Sequence, residues 1–108
     1  MIYFKPENIS ENVTKFIAIE DEKSCGYCIL KTDGNIADVY CLEFEKDKPY
    51  MVEGLLRSAY NFASLRNIYI GKCTCKNIDS FLDNMNFEKN EEGYINDIPT
   101  ILTGSCCK

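Results

Sequence analysis

The feature that most constrains the fold is a change of hydrophobic period near residue 46. Asn35–Glu45 alternates as a strand does, and it is predicted to place Val39, Cys41 and Glu43 on one face. The opposite face of that strand then carries Tyr40, Leu42 and Phe44. Directly afterwards the apolar residues recur at the spacing of a half-buried helix, namely Val52, Leu55, Leu56, Ala59, Phe62 and Ala63. A sheet with a helix packed on it, and therefore an α+β fold, is predicted.

Two further strands are predicted before this change of period. Phe16–Glu20 and Ser24–Lys31 are rich in residues that favour strands, and a short polar turn separates them. Asp33-Gly34 is a strong hairpin signal, because glycine adopts a positive φ without steric cost. The three predicted strands are therefore expected to form an antiparallel meander.

The helix is predicted over Asp47–Arg66, with Asp47 as its N-cap, and Ile68–Thr74 is predicted as the next strand. A strand, a helix and a strand in this order favour a right-handed crossover to a parallel neighbour. A short helix is predicted over Ile78–Met85, and Phe87–Leu102 is expected to hold one or two more strands.

Length and charge limit the classes of function. The chain has 108 residues, the size of a single domain spanning 1–108, and its formal net charge is −5. That charge argues against binding to nucleic acid, and also against an anionic membrane surface. No apolar run approaches the roughly 18 residues of a membrane-spanning helix, and Met1–Ser10 does not resemble a signal peptide. A cytoplasmic location is expected.

The chain is rich in cysteine, with seven cysteines, and it contains no histidine. In a predicted strand the odd spacing of Cys25-Gly-Tyr-Cys28 sends the two thiols to opposite faces, which favours core packing over redox chemistry. The alternative is a metal site formed by Cys73, Cys75, Cys106 and Cys107. We expect no intrachain disulfide and no tightly held metal.

The order of elements from Phe16 to Leu102 resembles the GNAT acetyltransferase superfamily from its second strand onward. Phe16–Leu30, with Gly26 in its second strand, resembles the family's hairpin, and Leu55-Leu56 with Ala59 resembles its central helix. Phe81–Phe87 resembles its short helix ending in Gly-Phe. The resemblance implies a mixed sheet with an antiparallel meander, a central crossover helix and a short second helix. The family's first strand and two N-terminal helices are expected to be largely missing.

The resemblance implies an acyl-CoA-dependent N-acyltransferase with acetyl-CoA as its cofactor. In the family, a turn of the form Arg/Gln-x-x-Gly-x-Gly/Ala holds the CoA pyrophosphate on backbone N–H groups at the start of the central helix. The matching segment here begins at Asp47, whose charge repels phosphate. Tyr50 and Val52 are bulky where the family has small residues, and Pro49 lacks an N–H. Lys46 and Lys48 can compensate in part through their side chains.

The family also places functional groups beside this turn. A carboxylate base or water-holding residue is often found where this chain has Glu43 and Glu45. The family's general-acid tyrosine corresponds to Leu82, which carries no proton donor. The pantetheine arm of the cofactor is expected to pair with the strand between Cys41 and Glu45. The candidate cofactor-binding residues are Cys41, Leu42, Phe44, Lys46, Lys48, Tyr50, Val52 and Asn77.

Three functional hypotheses follow. The first is a degenerate N-acyltransferase domain that binds acetyl-CoA weakly or not at all. The second is a non-catalytic binding or dimerisation module, and the third is a cysteine-based metal or redox protein. Because missing N-terminal elements would leave part of one sheet face uncovered, a homodimer is expected.

Overall fold

The computed structural model describes residues 2–75, 78–82, 87–90 and 93–103. Within these ranges one mixed sheet has the strand order β1-β2-β3-β4-β5-β7-β6. The strands are β1 Ile2–Ser10, β2 Val13–Glu20, β3 Lys23–Asp33, β4 Ile36–Phe44, β5 Ile70–Cys73, β6 Glu88–Asn90 and β7 Gly93–Asp97. The helices are α1 Met51–Ser64, α2 Asp79–Leu82 and α3 Ile98–Thr103. None of these helices has the length and apolar character that a membrane crossing requires.

The predicted fold class is confirmed. Strands β2, β3 and β4 form an antiparallel meander, and α1 leads from β4 to β5, which pairs parallel to β4. The glycine of the predicted hairpin, Gly34, has a φ of 61° in the turn between β3 and β4. The last helix, α3, was not predicted, because only strands were expected in Phe87–Leu102, where Pro99 argues against a helix. Proline is tolerated in the first turn of a helix, where its missing N–H has no partner to lose.

The expectation that the first strand is largely missing is wrong. Strand β1 pairs antiparallel with β2 along most of its length, and a tight turn at residues 11–12 joins them. That turn leaves no room for helices between the two strands. Sequence reasoning missed β1 because most of its side chains are exposed and because Lys5, Pro6 and Glu7 interrupt any apolar alternation. At the edge of a sheet such residues are tolerated.

All three helices lie on the same side of the sheet, which we call the covered face. Helix α1 packs there through Phe62, whose ring meets Phe16 of β2 edge-on at 5.3 Å between centroids. A side chain at Gly54 of α1 would overlap the ring of Phe4, so β1 also approaches this helix closely. Helix α3 contacts β5 at Gly71, and α2 places Phe81 against Phe44 at the end of β4.

The opposite side of β1–β4 is the open face, which no helix of the described ranges covers. Strand pairing aligns its side chains in rows that cross the four strands. One row is Lys5, Ile17, Tyr27 and Glu43, and the next row is Glu7, Lys15, Ile29 and Cys41. The predicted uncovered sheet surface is therefore present among the described residues.

Two register shifts change which side chains share a face. In β4 the pairs Ile29–Cys41 and Leu30–Val39 leave Tyr40 as an extra residue, so Val39 and Cys41 lie on opposite faces. The predicted common face for Val39, Cys41 and Glu43 is wrong for this reason. Val39 instead joins Leu42 in the core, where both are almost fully buried.

The second shift lies at Cys25 in β3. Ala18 pairs with Gly26 and Ile19 with Ser24, so Cys25 is an extra residue in the ladder. Cys25 and Cys28 are both buried in the same core cluster, and the prediction that they occupy opposite faces is wrong. An inserted residue cancels the alternation on which that prediction depended.

Candidate active site

The candidate site lies where the pairing of β4 with β5 ends. This parallel pairing runs from Ile36–Ile70 to Val39–Cys73, and the N–H of Thr74 then donates to the oxygen of Val39 at 3.2 Å. Strand β4 continues to Phe44, five residues beyond this last pair. The extra residue Tyr40 follows the last pair directly, at the point where β5 stops.

The predicted pantetheine-binding residues lie on this part of β4, beyond its last pair with β5, and their side chains serve different purposes. Leu42 is buried in the core, and the ring of Phe44 contacts that of Phe81 at 6.0 Å between centroids. Cys41 is half-buried on the open face. Leu42 and Phe44 therefore contribute to packing, and a cofactor would meet the backbone of this segment.

In the segment between β4 and α1, three backbone N–H groups donate to carbonyl oxygens of the same segment. The N–H of Lys48 donates to the oxygen of Glu45 at 2.8 Å, and that of Met51 donates to Lys48 at 3.1 Å. The N–H of Val52 donates to the oxygen of Pro49 at 3.1 Å, and Pro49 has no N–H. These three N–H groups, which lie where a helix start can hold a phosphate, are therefore engaged within the turn.

A carboxylate also occupies this end of the helix. Lys48 Nζ lies 2.6 Å from Oε1 of Glu20, at the end of β2, and the hydroxyl of Tyr50 donates to the same oxygen at 3.0 Å. The hydrogen bonds from Lys48 and from Tyr50 lower the pKa of Glu20. The same carboxylate raises the pKa of Lys48, chiefly through the hydrogen bond between them. We call Glu20, Lys48 and Tyr50 the carboxylate clamp.

The clamp changes the interpretation of Lys48 and Tyr50, while Glu20 was missed by sequence reasoning. Lys48 was predicted to draw phosphate, yet its ammonium already binds an internal anion. Glu20 ends a strand beside an acidic turn, a position that usually holds a solvated carboxylate. Its partners lie 28 and 30 residues away, and no local pattern indicates such a pairing.

The remaining predicted cofactor residues are scattered. Val52 is fully buried, so its bulk belongs to the core and not to the surface of the turn. Lys46 is exposed. Asn77 lies outside the described residues.

The candidate catalytic carboxylates both lie in solvent. Glu43 is exposed on the open face. Glu45 is also exposed, and its N–H donates to the oxygen of Cys25 at 3.1 Å. Leu82, at the position of the family's general acid, is fully buried. The catalytic role of either glutamate remains a prediction.

A groove of about 420 Å³ flanks the turn on the outer side of α1. Tyr50, Gly54 and Phe81 contribute to its walls. Glu53 and Arg57 also line it, and Arg57 Nε lies 3.0 Å from Glu53 Oε2. A ligand that approaches α1 through this groove meets the ring of Tyr50, which is 54% exposed.

Four of the described cysteines, Cys25, Cys28, Cys73 and Cys75, are core residues, and Cys41 is half-buried on the open face. Cys25, Cys28, Cys41, Cys73 and Cys75 all have free thiols. Burial raises the pKa of Cys25 and of Cys28, and it raises that of Cys73 to about 12. Such thiols stay protonated near neutral pH and are poor nucleophiles and poor metal ligands. The described ranges contain no cluster able to hold a metal, and Cys106 and Cys107 of the alternative site lie outside them.

The arrangement of the sheet and α1 matches that of solved acetyltransferases. The PaiA N-acetyltransferase of Thermoplasma acidophilum, solved with coenzyme A, superposes with a TM-score of 0.68 at 17% identity over 78% of this chain. A GNAT-family acetyltransferase of Staphylococcus aureus Mu50 gives 0.66 at 15% identity over 80%, and Tetrahymena GCN5 gives 0.64 at 12% over 80%.

The chain has the GNAT fold. The match covers 58% of the PaiA chain and 68% and 67% of the other two, so this chain spans only part of the length of those proteins. No protein-family model and no curated protein sequence matches this chain. The likeness therefore lies in the three-dimensional arrangement.

Proposed function

We propose that this GNAT-fold chain is a degenerate N-acyltransferase domain that binds acetyl-CoA weakly or not at all. The observation that carries the proposal is the closed turn before α1. There the N–H groups of Lys48, Met51 and Val52 bind carbonyl oxygens of the same segment. A pyrophosphate placed at this helix start would have to break those bonds before it could use the donors.

The expected loss of affinity is large. A hydrogen bond from a backbone donor to an anion contributes about 1.5–3 kcal/mol. Losing two or three such bonds lowers the affinity by roughly two to five orders of magnitude, at about 1.4 kcal/mol per factor of ten. The carboxylate of Glu20 adds to the loss, because it engages Lys48 and repels a phosphate brought to the same place.

A domain of this kind would act by contact with a macromolecular partner. The open face supports this role, because it presents apolar side chains that no described helix covers. The non-catalytic binding or dimerisation role is therefore part of the proposal, and the substrate class stays unassigned.

An active acyltransferase is the second candidate, supported by the part of β4 that continues to Phe44 beyond its last pair with β5. In that arrangement the pantetheine arm would lie along the backbone after Cys41, and Glu43 or Glu45 would take the proton from the attacking amine. The PaiA structure, which contains coenzyme A, shows that this fold accommodates the cofactor in that protein.

Isothermal titration with acetyl-CoA tests the proposal. We expect no measurable heat of binding for the wild-type chain at ligand concentrations up to about 1 mM. A Glu20→Ala, Tyr50→Ala variant removes two members of the clamp and leaves Val52, which the core needs. This variant is expected to bind more tightly than the wild type, with a dissociation constant still above about 100 µM because the turn stays closed.

The matched control is Glu11→Ala, Tyr69→Ala, which removes the same two side-chain types at exposed positions away from α1's start. It should behave as the wild type does. Micromolar affinity of the wild-type chain for acetyl-CoA would refute the proposal and favour the active acyltransferase.

A further inference from the structure

We propose that the open face is the interface of a homodimer, in which a second copy is related by a two-fold axis parallel to the strands. The proposal rests on the dimerisation role in the proposed function, and it specifies the face, the partner and the pairs of residues that meet. It does not depend on whether the turn before α1 is closed.

The centre of the open face is apolar. Ile17 and Ile19 of β2 lie beside Tyr27 and Ile29 of β3, and all four are only half-buried. Lys15 Nζ lies 4.6 Å from the centroid of the Tyr27 ring. The aliphatic stem of Lys15 therefore extends the same surface. A continuous apolar patch on a sheet face is stabilised when another surface removes it from water.

One row of side chains across this face is complementary to itself in charge. One row across the strands runs from Lys5 on β1 through Ile17 and Tyr27 to Glu43 on β4. A two-fold axis between β2 and β3, parallel to the strands, reverses the order of the strands in the second copy. Lys5 of each copy then faces Glu43 of the other, and Ile17 faces Tyr27.

The spacing of stacked sheets suits these contacts. Two sheets pack about 10 Å apart with their strands nearly aligned, so side chains from both inner faces meet at mid-distance. Lys5 and Glu43 are exposed at opposite margins of the row, where long side chains can reach across. The pair therefore lies at the rim, and the apolar residues form the centre, as in other protein interfaces.

The face has about the size that a small dimer interface needs. Four strands at about 4.8 Å spacing and about eight residues of 3.3 Å give a flat footprint of roughly 500 Å². Stable interfaces bury about 800 Å² of accessible surface on each partner, and the relief of side chains brings this footprint near that value. We expect a dissociation constant in the micromolar range.

The β1 edge of the sheet is a poorer place for association than the open face. Strand β1 carries Pro6 between Lys5 and Glu7. Proline and charged side chains at an edge discourage pairing with another strand. A second copy is therefore better accommodated on the open face than along β1.

Sedimentation of the full chain between about 2 and 200 µM tests the proposal. The wild-type mass should rise from 12.4 kDa towards twice that value. Glu43→Lys and Lys5→Glu should each raise the dissociation constant at least about tenfold, because each places like charges opposite one another. The combined Lys5→Glu, Glu43→Lys variant should return to within about threefold of the wild type.

Glu11→Lys is the control, since it makes the same charge change at an exposed turn residue outside the rows. It should leave the dissociation constant unchanged, and circular dichroism should show all variants folded. A wild-type chain that stays monomeric at 200 µM, a dimer that neither single variant weakens, or a double variant that fails to recover would each overturn the proposal. Acetyl-CoA binding would refute the proposed function and leave these sedimentation results unaffected.

Discussion

The two faces of the sheet differ in how far their side chains are buried. On the covered face Leu30 is 1% exposed and lies in the core beneath the helices. On the open face its neighbour Ile29 is only half-buried, and no described helix covers it. Adjacent residues of β3 thus lie in two environments. Leu30 is in a closely packed core, and Ile29 is on a surface that still contacts water. The difference indicates that the covered face stabilises the monomer, while the open face is available for association.

The largest expected effect compares Leu30→Ala with Ile29→Ala. Truncating the buried Leu30 should lower the free energy of unfolding by about 2–5 kcal/mol, because it removes apolar contacts and leaves a cavity. Truncating Ile29 should cost about 1 kcal/mol or less in the monomer, because that side chain already contacts water. Urea denaturation at sub-micromolar concentration measures both values.

Equal losses from these two substitutions would contradict the comparison, since they would mean that the open face is as well packed as the covered one. Raising the protein concentration sharpens the test. In a dimer the cost of Ile29→Ala should increase with concentration, and that of Leu30→Ala should not.

A smaller effect is expected from Tyr60→Phe, deep under the covered face. The hydroxyl of Tyr60 donates to the backbone oxygen of Lys72 at 2.6 Å, and the side chain is fully buried. Removing the hydroxyl takes this donor away from a carbonyl in β5 and should cost about 1–3 kcal/mol. Thermal or urea unfolding provides the measurement.

Tyr69→Phe is its matched control, because Tyr69 is 44% exposed and its hydroxyl donates to the side chain of Asn67. Water replaces that bond, so a change within about 0.5 kcal/mol is expected. A Tyr60→Phe variant as stable as this control would show that the buried hydrogen bond contributes nothing.

The smallest expected effect concerns the carboxylate clamp at the rim of the covered face. Because the pKa of Glu20 is lowered, the ionised carboxylate favours the folded state above the ordinary glutamate pKa. This contribution is lost as the pH falls through the lowered value. In a carbon-13 NMR titration, Glu20 should therefore titrate below an ordinary glutamate.

Lys48→Met should move the pKa of Glu20 back up, because the lysine supplies the strongest of its hydrogen bonds. Lys31→Met, which removes an exposed lysine from β3, should leave that pKa where it is in the wild type. A Glu20 that titrates normally in the wild-type chain would mean that no clamp forms in solution.

Several parts of the fold were predictable because they depend on local pattern. The strand-favouring composition of Phe16–Glu20 and the alternation in Asn35–Glu45 predicted strands of the meander, and the helical spacing from Val52 to Ala63 predicted the central helix. Gly34 marked the β3–β4 turn. The resemblance to the GNAT superfamily also followed from the order of these elements, and the fold is confirmed by the structural matches.

The errors share a physical cause. A single inserted residue at Tyr40 or at Cys25 reverses the alternation of all residues beyond it, and the sequence contains no signal for either insertion. Strand β1 was missed because an edge strand needs little apolar surface of its own. Helix α3 was missed because Pro99 stops a helix in its interior but not in its first turn.

Some features of the candidate site were likewise predictable from the sequence, and others were not. The departure from the family's phosphate turn was predictable from residue types alone, because Tyr50 is bulky and Pro49 lacks an N–H. The absence of a hydroxyl at Leu82 was predictable in the same way. The pairing of Glu20 with Lys48, and the carbonyl partners of the turn's N–H groups, were decided only by the tertiary structure. Hydrophobic period is a local property that a sequence displays directly. Which polar groups meet across the sheet depends on strand register and on the path of the chain before α1, and only packing of the whole domain sets these.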